Sequence, residues 1–172
     1  MSLRSDLNIE FKIADNETFI DLNLCAKEFI DFIDNFKTKF LNKEFFVLTA
    51  YLNEILVGIL VAEDKSKKVD SLEKIVPIMR LYLLFVNRKF RNKNIGENLL
   101  KEFLNIQKRK GIAYIYIKIP QIHKEGIKYL RKNNFQQVGK KAKKIILEFK
   151  LWNDFGIMNC QSISDIFNHI FQ

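Results

Sequence analysis

The segment from Met79 to Ile119 constrains the fold of this chain more than any other, because it reads as a strand, a helix and a second strand. Its first part, "MRLYLLFV", is a nearly continuous apolar run, which is typical of a strand buried on both faces. Apolar residues at three- and four-residue spacing then indicate an amphipathic helix over Ile95–Lys110, and Gly111 ends it. With "AYIYIKI" as the second strand, a connection of this length predicts a right-handed parallel crossover.

The sequence on either side of this segment predicts further strands and helices. The predicted elements are a strand at 8–14, one helix or two joined helices over 17–36, a hairpin of two strands around Asn53, a short helix at 123–135 and a strand at 143–151. We therefore expect a mixed α/β architecture. Since no repeat and no Gly/Ser linker divides residues 1–172, the sequence indicates a single domain.

Composition and the number of cysteines limit the class of protein to which this chain can belong. Hydrophobic residues make up 48% of the chain, so a buried core is expected. Cys25 and Cys160 lie far apart, which argues against a disulfide framework or a thiolate zinc site and fits a reducing compartment. The apolar runs are shorter than the roughly 20 residues that a membrane span needs, and residues 1–20 do not resemble a signal peptide. We expect a soluble cytoplasmic protein without a metal site.

Positive charge is concentrated in the second half of the sequence. Residues 88–150 carry 18 Lys or Arg and 4 Asp or Glu, a net charge of +14, whereas residues 1–87 have a net charge of −3. Such a segment can attract nucleic acid, an acidic membrane surface or a phosphorylated small molecule. Since the sequence shows no helix-turn-helix and no aromatic stacking platform, we do not expect a nucleic-acid partner, and we expect no membrane partner.

The loop that opens the helix, "RNKNIGENLL" at residues 91–100, has the features of an anion site. The first turn of a helix presents unpaired backbone N–H groups and the positive end of the helix dipole, where phosphates bind. Arg91 and Lys93 add charge, Gly96 lets a ligand approach the backbone, and Asn94 tolerates a left-handed conformation. The alternative is an ordinary solvated basic loop.

The stretch "FVNRKFRNKNIGENLL" resembles the acetyl-CoA-binding motif of the GCN5-related N-acetyltransferases, the GNAT family. That motif is Arg/Gln-x-x-Gly-x-Gly/Ala after a strand, and here it reads Arg91-x-x-Asn94-x-Gly96, with asparagine at the first glycine position. A second block, "HKEGIKYLRKNNF", resembles the penultimate helix of the family, with Asn134 at its glycine position. The resemblance covers roughly residues 8–150.

The resemblance implies a GNAT-like fold, with strands that splay around Met79–Val86 and Ala113–Ile119, a sheet of about six to seven strands, and acetyl-CoA as co-substrate. The amides of residues 92–97 would bind the pyrophosphate, and the backbone of residues 84–86 would pair with the pantetheine arm. The residues that the resemblance implies for coenzyme binding are Leu84, Phe85, Val86, Arg91, Asn92, Lys93, Asn94, Ile95, Gly96, Glu97 and His123.

The catalytic groups depart from the family pattern. The tyrosine that many family members use as general acid falls on Leu130, and the neighbouring Tyr129 points about 100° away on the same helix. A carboxylate is the usual proton acceptor. The candidates are Glu63, Asp64 and Glu73 as proton acceptors, and Tyr82, Tyr116, Tyr129 or water as proton donors. A leaving step without a general acid is the remaining alternative.

The resemblance implies an enzyme that transfers an acetyl group directly to a primary amine of a small molecule or peptide. Leu130 keeps a second function open, a catalytically weak or inactive acyl-CoA-binding or regulatory module on the same fold. The sequence does not identify the acceptor. The C-terminal extension, residues 151–172, either packs on the domain or pairs with another subunit, so a homodimer stays open.

Overall fold

The computed structural model of the protein describes residues 8–15, 33, 35–69 and 74–152. Most of the helical segment predicted over 17–36 lies outside these residues, as do the catalytic candidate Glu73, both cysteines and residues 153–172. Within the part that is described, each helix is too short or too polar to cross a membrane.

The described residues form nine strands and three α-helices. In chain order they are β1 (Ile9–Ile13), α1 (Phe36–Leu41), β2 (Phe45–Leu52), β3 (Ile55–Asp64), β4 (Lys67–Val69), β5 (Lys74–Val76), β6 (Ile78–Val86), α2 (Ile95–Arg109), β7 (Tyr114–Pro120), α3 (Lys124–Lys132), β8 (Gln136–Lys141) and β9 (Lys144–Lys150). A 3₁₀ turn, Arg88–Phe90, follows β6.

Seven of the strands form one mixed sheet in the order β1-β2-β3-β6-β7-β9-β8. β6 and β7 pair in parallel, whereas β1 with β2, β2 with β3, β7 with β9 and β8 with β9 pair antiparallel. The predicted mixed sheet and the parallel connection through α2 are therefore confirmed. β4 and β5 form a separate two-stranded hairpin, which the polar sequence around Lys67 did not predict.

Two compact units make up the chain, one of Met1–Asp64 and Leu81–Lys110, the other of Lys65–Arg80 and Gly111–Gln172. β6 begins in the second unit and continues in the first. Within the first unit, β6 is therefore the edge strand beside β3.

The second part of β6 is less buried than its sequence predicts. Ile78, Met79 and Leu81 are 1–4% exposed, whereas residues 82–86 are all partly exposed. The prediction of burial on both faces is wrong for these five positions, because an edge strand is less enclosed than a central one. The pairing of β6 with β7 covers three residue pairs and ends at Arg80, as the prediction of splayed strands requires.

The core of the first unit lies on both faces of its sheet. Phe45 and Phe46 follow each other at the start of β2, so their side chains point to opposite faces. Phe45 stacks on Phe36, with ring centroids 5.7 Å apart, and Phe46 meets Phe103 of α2 with centroids 5.8 Å apart. Phe103 is fully buried, so α2 is fixed against the sheet along its apolar side.

The turn between β2 and β3 agrees with the predicted hairpin. Asn53 and Glu54 have φ angles of 50° and 66°. Two consecutive residues with positive φ are the signature of a type I′ turn, whose twist matches that of the flanking strands. Asparagine suits this turn because it tolerates the left-handed conformation better than most residues.

The second unit packs α3 against β7 and β9. Phe135, just after α3, meets Phe149 of β9 with ring centroids 5.4 Å apart. Gly126 lies so close to β7 that a Cβ there would be 3.1 Å from Cδ1 of Ile119. The sequence did not predict β8, because Val138 is the one large apolar residue in "QQVGKK"; its pairing with β9 makes it a strand.

Candidate functional site

A short loop joins the end of β6 to α2, and hydrogen bonds determine its course. The amide of Asn87 donates to the carbonyl of Val57 at 2.8 Å, and the side-chain oxygen of Asn87 accepts from the amide of Lys89 at 3.1 Å. Asn92 and Asn94 then adopt left-handed backbone conformations, with φ of 64° and 58°. The conformation expected for Asn94 is therefore present, and Asn92 repeats it.

The helix α2 begins directly after Asn94. The side chain of Asn94 makes no capping hydrogen bond, while its carbonyl accepts the first helical bond from the amide of Asn98 at 3.0 Å. The amides of Ile95, Gly96 and Glu97 form the first turn, at the positive end of the helix dipole. Since Ile95 is 1% exposed, its side chain anchors this turn in the core.

Two cations lie beside this turn. Nε of Arg91 donates to the carbonyl of Val86 at 2.9 Å, and its guanidinium carbon lies 6.0 Å from the ring centroid of Phe85. Nζ of Lys93 lies 5.7 Å from the ring centroid of Phe90. Both side chains are exposed, so their positive charges can attract an anion from the solvent in front of the first turn of α2.

The edge of β6 that points away from β3 carries backbone groups of Leu84 and Val86. The carbonyl oxygen of Phe85 lies close to Gly58 of β3, where a Cβ would be 3.3 Å from it. Because backbone groups of successive strand residues point to opposite edges, those of Leu84 and Val86 point away from β3. An extended ligand can pair with such an edge as an added strand.

Two of the catalytic candidates are in contact on neighbouring strands of the first unit. The hydroxyl of Tyr82 donates a hydrogen bond to Oε2 of Glu63 at 2.6 Å, although the residues lie 19 positions apart. Glu63 is 8% exposed, whereas the neighbouring candidate Asp64 is exposed. The ring of Phe45 meets that of Tyr82 edge to face, with centroids 5.5 Å apart. The pair combines a carboxylate with a phenol, which can together accept and pass on a proton.

Phe45 also lines a cavity of about 450 Å³ in the first unit. Phe40 and Val47 contribute further apolar wall, and Asp15 and Lys43 contribute one charge of each sign. The cavity can therefore hold a small, mostly apolar group next to the aromatic ring that contacts Tyr82.

The remaining candidates lie in the second unit or outside the described residues. Leu130 is 4% exposed, as an apolar residue of a helix that packs on a sheet should be, and Tyr116 is 2% exposed. Tyr129 is partly buried, and His123 is exposed just before α3. Glu73 lies outside the described residues. Among the residues that are described, no three His, Cys, Asp or Glu are grouped so as to hold a metal ion.

Glu148 is a buried carboxyl group that the sequence reasoning missed. It lies on β9, is 2% exposed, and neither carboxyl oxygen has a hydrogen-bond partner among the described residues. Burial raises the pKa of Glu148 to about 7, against a smaller opposing effect of Lys150. The available signal was a single acidic residue inside the apolar strand "KIILEFK".

Solved structures show the same fold. The PaiA N-acetyltransferase from Thermoplasma acidophilum in complex with coenzyme A is 20% identical, with a TM-score of 0.65, and the match covers 83% of this chain and 98% of that one. Arabidopsis thaliana NAA60 in complex with acetyl-CoA is 14% identical, with a TM-score of 0.67 and the same two coverages. Arabidopsis thaliana Naa50 in complex with the bisubstrate analogue CoA-Ac-MVNAL is 16% identical, with a TM-score of 0.64, again over 83% and 98%.

The sequence itself matches a protein-family model. No curated protein matches the chain. The family model described as "Acetyltransferase (GNAT) domain" matches residues 13–124, which include β2 to β7 and the loop at the start of α2. The chain therefore belongs to the GNAT acetyltransferase family.

Proposed function

We propose that the protein is an acetyl-CoA-dependent N-acetyltransferase that transfers the acetyl group directly to a primary amine of a small molecule or a peptide. The observation that carries the proposal is the course of β6 in the first unit. This strand leads from Tyr82, which is bonded to Glu63, to the loop in which Arg91 and Asn94 precede α2. One strand thus connects a candidate acid–base pair with a candidate anion site.

The loop supports binding of the coenzyme pyrophosphate. Left-handed residues such as Asn92 and Asn94 direct neighbouring backbone N–H groups into a concave surface that suits anions. The first-turn amides of α2 and the helix dipole add to this attraction, and Arg91 and Lys93 supply two positive charges. The similar structures that contain coenzyme A and acetyl-CoA support the same ligand class.

The edge of β6 supports the course of the pantetheine arm. Leu84 offers its backbone N–H and carbonyl, and Val86 offers its N–H, with which the amides of the arm can pair, while the carbonyl of Val86 accepts from Arg91. A strand rises about 3.3 Å per residue, so Tyr82 lies about 13 Å along the strand from Val86. An arm that is extended along this edge therefore leads from the anion site towards Tyr82.

The contact between Glu63 and Tyr82 supports proton removal from the acceptor. A primary amine arrives as an ammonium ion and must lose a proton before its nitrogen can attack a carbonyl carbon. The oxygen of Tyr82 can accept this proton while its own proton passes to Glu63, so that the carboxylate is the final acceptor. Acetyl-CoA, when bound, supplies a thioester carbonyl that is already activated, and direct transfer needs no nucleophile from the protein.

A buried leucine favours one alternative function. Leu130 occupies the position where many GNAT enzymes carry a tyrosine, and an apolar side chain cannot donate a proton to a leaving thiolate. A non-catalytic acyl-CoA-binding or regulatory module would tolerate this change. Such a module binds acetyl-CoA and leaves the thioester intact.

Two measurements test the proposal. Isothermal titration with acetyl-CoA should show binding, which Arg91→Glu weakens more than Arg88→Glu, a matched charge reversal three residues earlier. Absence of binding at millimolar coenzyme refutes both functions. Release of free coenzyme A thiol is then followed across a panel of primary amines and peptides. Turnover supports the transferase, whereas binding without turnover on any member supports the module.

A further inference from the structure

Several lysines, among them Lys118, Lys141 and Lys144, lie on one face of the sheet in the second unit. Lys118 is on β7, and Pro120, two residues later on the same face, lies opposite Lys144 of β9. Lys144 in turn lies opposite Lys141 of β8. Because directly opposite residues and residues two apart share a face, Lys118, Lys141 and Lys144 all project from the same side of the sheet.

Two further cations and one acid also lie near Lys118. Arg80 of β6 lies opposite Tyr116, which is two residues before Lys118 and so shares its face. The amide of Lys65 donates to the carbonyl of Ile78 at 2.8 Å, which places Lys65 beside the start of β6. Glu148 lies opposite Tyr116 on the same face. Burial raises the pKa of Glu148 to about 7, so this single acid is about half ionised at pH 7 and offsets at most one of the positive charges on this face.

These surroundings make the charged form of Lys118 costly. The side chain is partly buried, and Arg80, Lys141, Lys144 and Lys65 repel its ammonium group. Burial first, and these cations next, lower the pKa of Lys118 to about 8. At pH 7.5 about one quarter of such an amine is neutral, whereas on the order of one-thousandth of an ordinary lysine amine is neutral.

We propose that Lys118 is a modification site, whose side-chain amine is acetylated by reactive acyl donors, with acetyl-CoA as the thioester donor. The neutral Nζ attacks the carbonyl carbon, the C–N bond forms, and the C–S bond breaks with its electron pair leaving on the coenzyme A thiolate. The surplus proton on nitrogen passes to water. The product amide carries no charge, so acetylation also removes one of the mutually repelling cations from this face.

This site is separate from the transfer proposed above. Lys118 needs only a neutral amine and partial exposure, and a small donor such as acetic anhydride can reach it without the loop at the start of α2. A failure of acetyl-CoA to bind the loop therefore leaves labelling by acetic anhydride unaffected, and the two proposals can fail independently.

The test is site-resolved acetylation of the folded protein, measured by mass spectrometry with sub-stoichiometric acetic anhydride and, separately, with acetyl-CoA. Lys101 is the internal reference, because it is exposed and paired with Glu97 at 3.0 Å. At pH 7.5 Lys118 should react at least about tenfold faster than Lys101, since its larger neutral fraction outweighs the lower nucleophilicity of a less basic amine. Equal or slower labelling of Lys118 with acetic anhydride overturns the proposal.

A pair of double variants separates the effect of the cations from that of accessibility. Lys141→Gln with Lys144→Gln removes two charges from the face of Lys118. Lys140→Gln with Lys143→Gln removes the same charge from the opposite face and from the turn after β8. The first pair should slow labelling of Lys118 about two- to fivefold at pH 7.5, because fewer like charges raise its pKa. The control pair should leave the rate close to that of the parent protein, and equal rates in both pairs contradict the proposal.

Discussion

The hydroxyl of Tyr82 lies 2.6 Å from a carboxylate oxygen of Glu63, and the two residues belong to neighbouring strands of one unit. The contact gives a largely buried carboxylate a partner through which it can exchange a proton with a ligand. It also distinguishes Glu63 from Asp64, the next residue, whose side chain is exposed. Glu63 is therefore the carboxylate that we expect to accept the proton of the acceptor amine.

Replacing Glu63 with glutamine should lower the transfer rate by about 100-fold or more, since a general base contributes on that order to catalysis. The amide keeps the size of the side chain but cannot take up the proton. Coenzyme affinity should change little, because Glu63 lies away from the loop at the start of α2. The rate of thiol release at saturating acetyl-CoA, together with calorimetric affinity, measures both quantities.

The matched control for this variant is Asp64→Asn, which makes the same chemical change at the neighbouring exposed position. It should keep a rate within a few-fold of the parent protein. Equal losses in the two variants would mean that the carboxylate of Glu63 has no special role.

Asn94 should be replaceable by glycine but not by valine. Its φ of 58° is favourable for glycine, whereas the left-handed region costs a residue with a Cβ about 1–2 kcal/mol, and a β-branched one at least that. Asn94→Gly should retain acetyl-CoA affinity. Asn94→Val should weaken it, because the relaxed loop no longer directs its amides at the pyrophosphate. Calorimetric titration measures the affinities, and thermal unfolding measures the stability.

Asn134 provides the control for backbone strain alone. It has a φ of 68° and lies after α3 in the second unit. Asn134→Val should lower the midpoint of thermal unfolding about as much as Asn94→Val does, but it should not weaken coenzyme binding in the protein that remains folded. If both valine variants lose affinity equally, the conformation of Asn94 is not specific to the ligand site.

The free energy of unfolding should decrease as pH rises from 4.5 to about 7, because of Glu148. The folded-state pKa of about 7 lies above the usual 4.5, so the folded protein binds more protons than the unfolded chain in this window. The free energy of unfolding then decreases as pH rises through it, by an amount on the order of 2 kcal/mol. Glu148→Gln should remove this decrease, whereas Glu125→Gln, on the exposed side of α3, should keep it. Urea unfolding at several pH values is the measurement.

Lys118 should show the opposite dependence at higher pH. Its folded-state pKa of about 8 lies below the usual 10.5, so the folded protein binds fewer protons than the unfolded chain between these values. The charged Lys118 therefore lowers the free energy of unfolding by its full amount below pH 8, and this effect disappears as pH approaches 10.5. Lys118→Met should raise the thermal midpoint at pH 7 and gain little at pH 10.5. The exposed turn variant Lys143→Met should show no such gain at either pH.

The sequence alone determined the local features of this protein. The apolar run of β6, the spacing of apolar residues in α2 and the turn at Asn53 depend on neighbouring residues, so the sequence alone predicted each of them. The motif residues Arg91 and Asn94 were readable for the same reason, because a left-handed asparagine at a helix start is a property of a few consecutive positions.

The tertiary structure decided what depends on pairing between distant segments. β8 is a strand because β9 pairs with it, although its own residues are mostly polar. The contact of Glu63 with Tyr82 exists because β3 and β6 are neighbours in the sheet. Glu148 is buried on β9, which lies between β7 and β8. No local pattern carries this information, since strand order and burial arise from packing over the whole sheet.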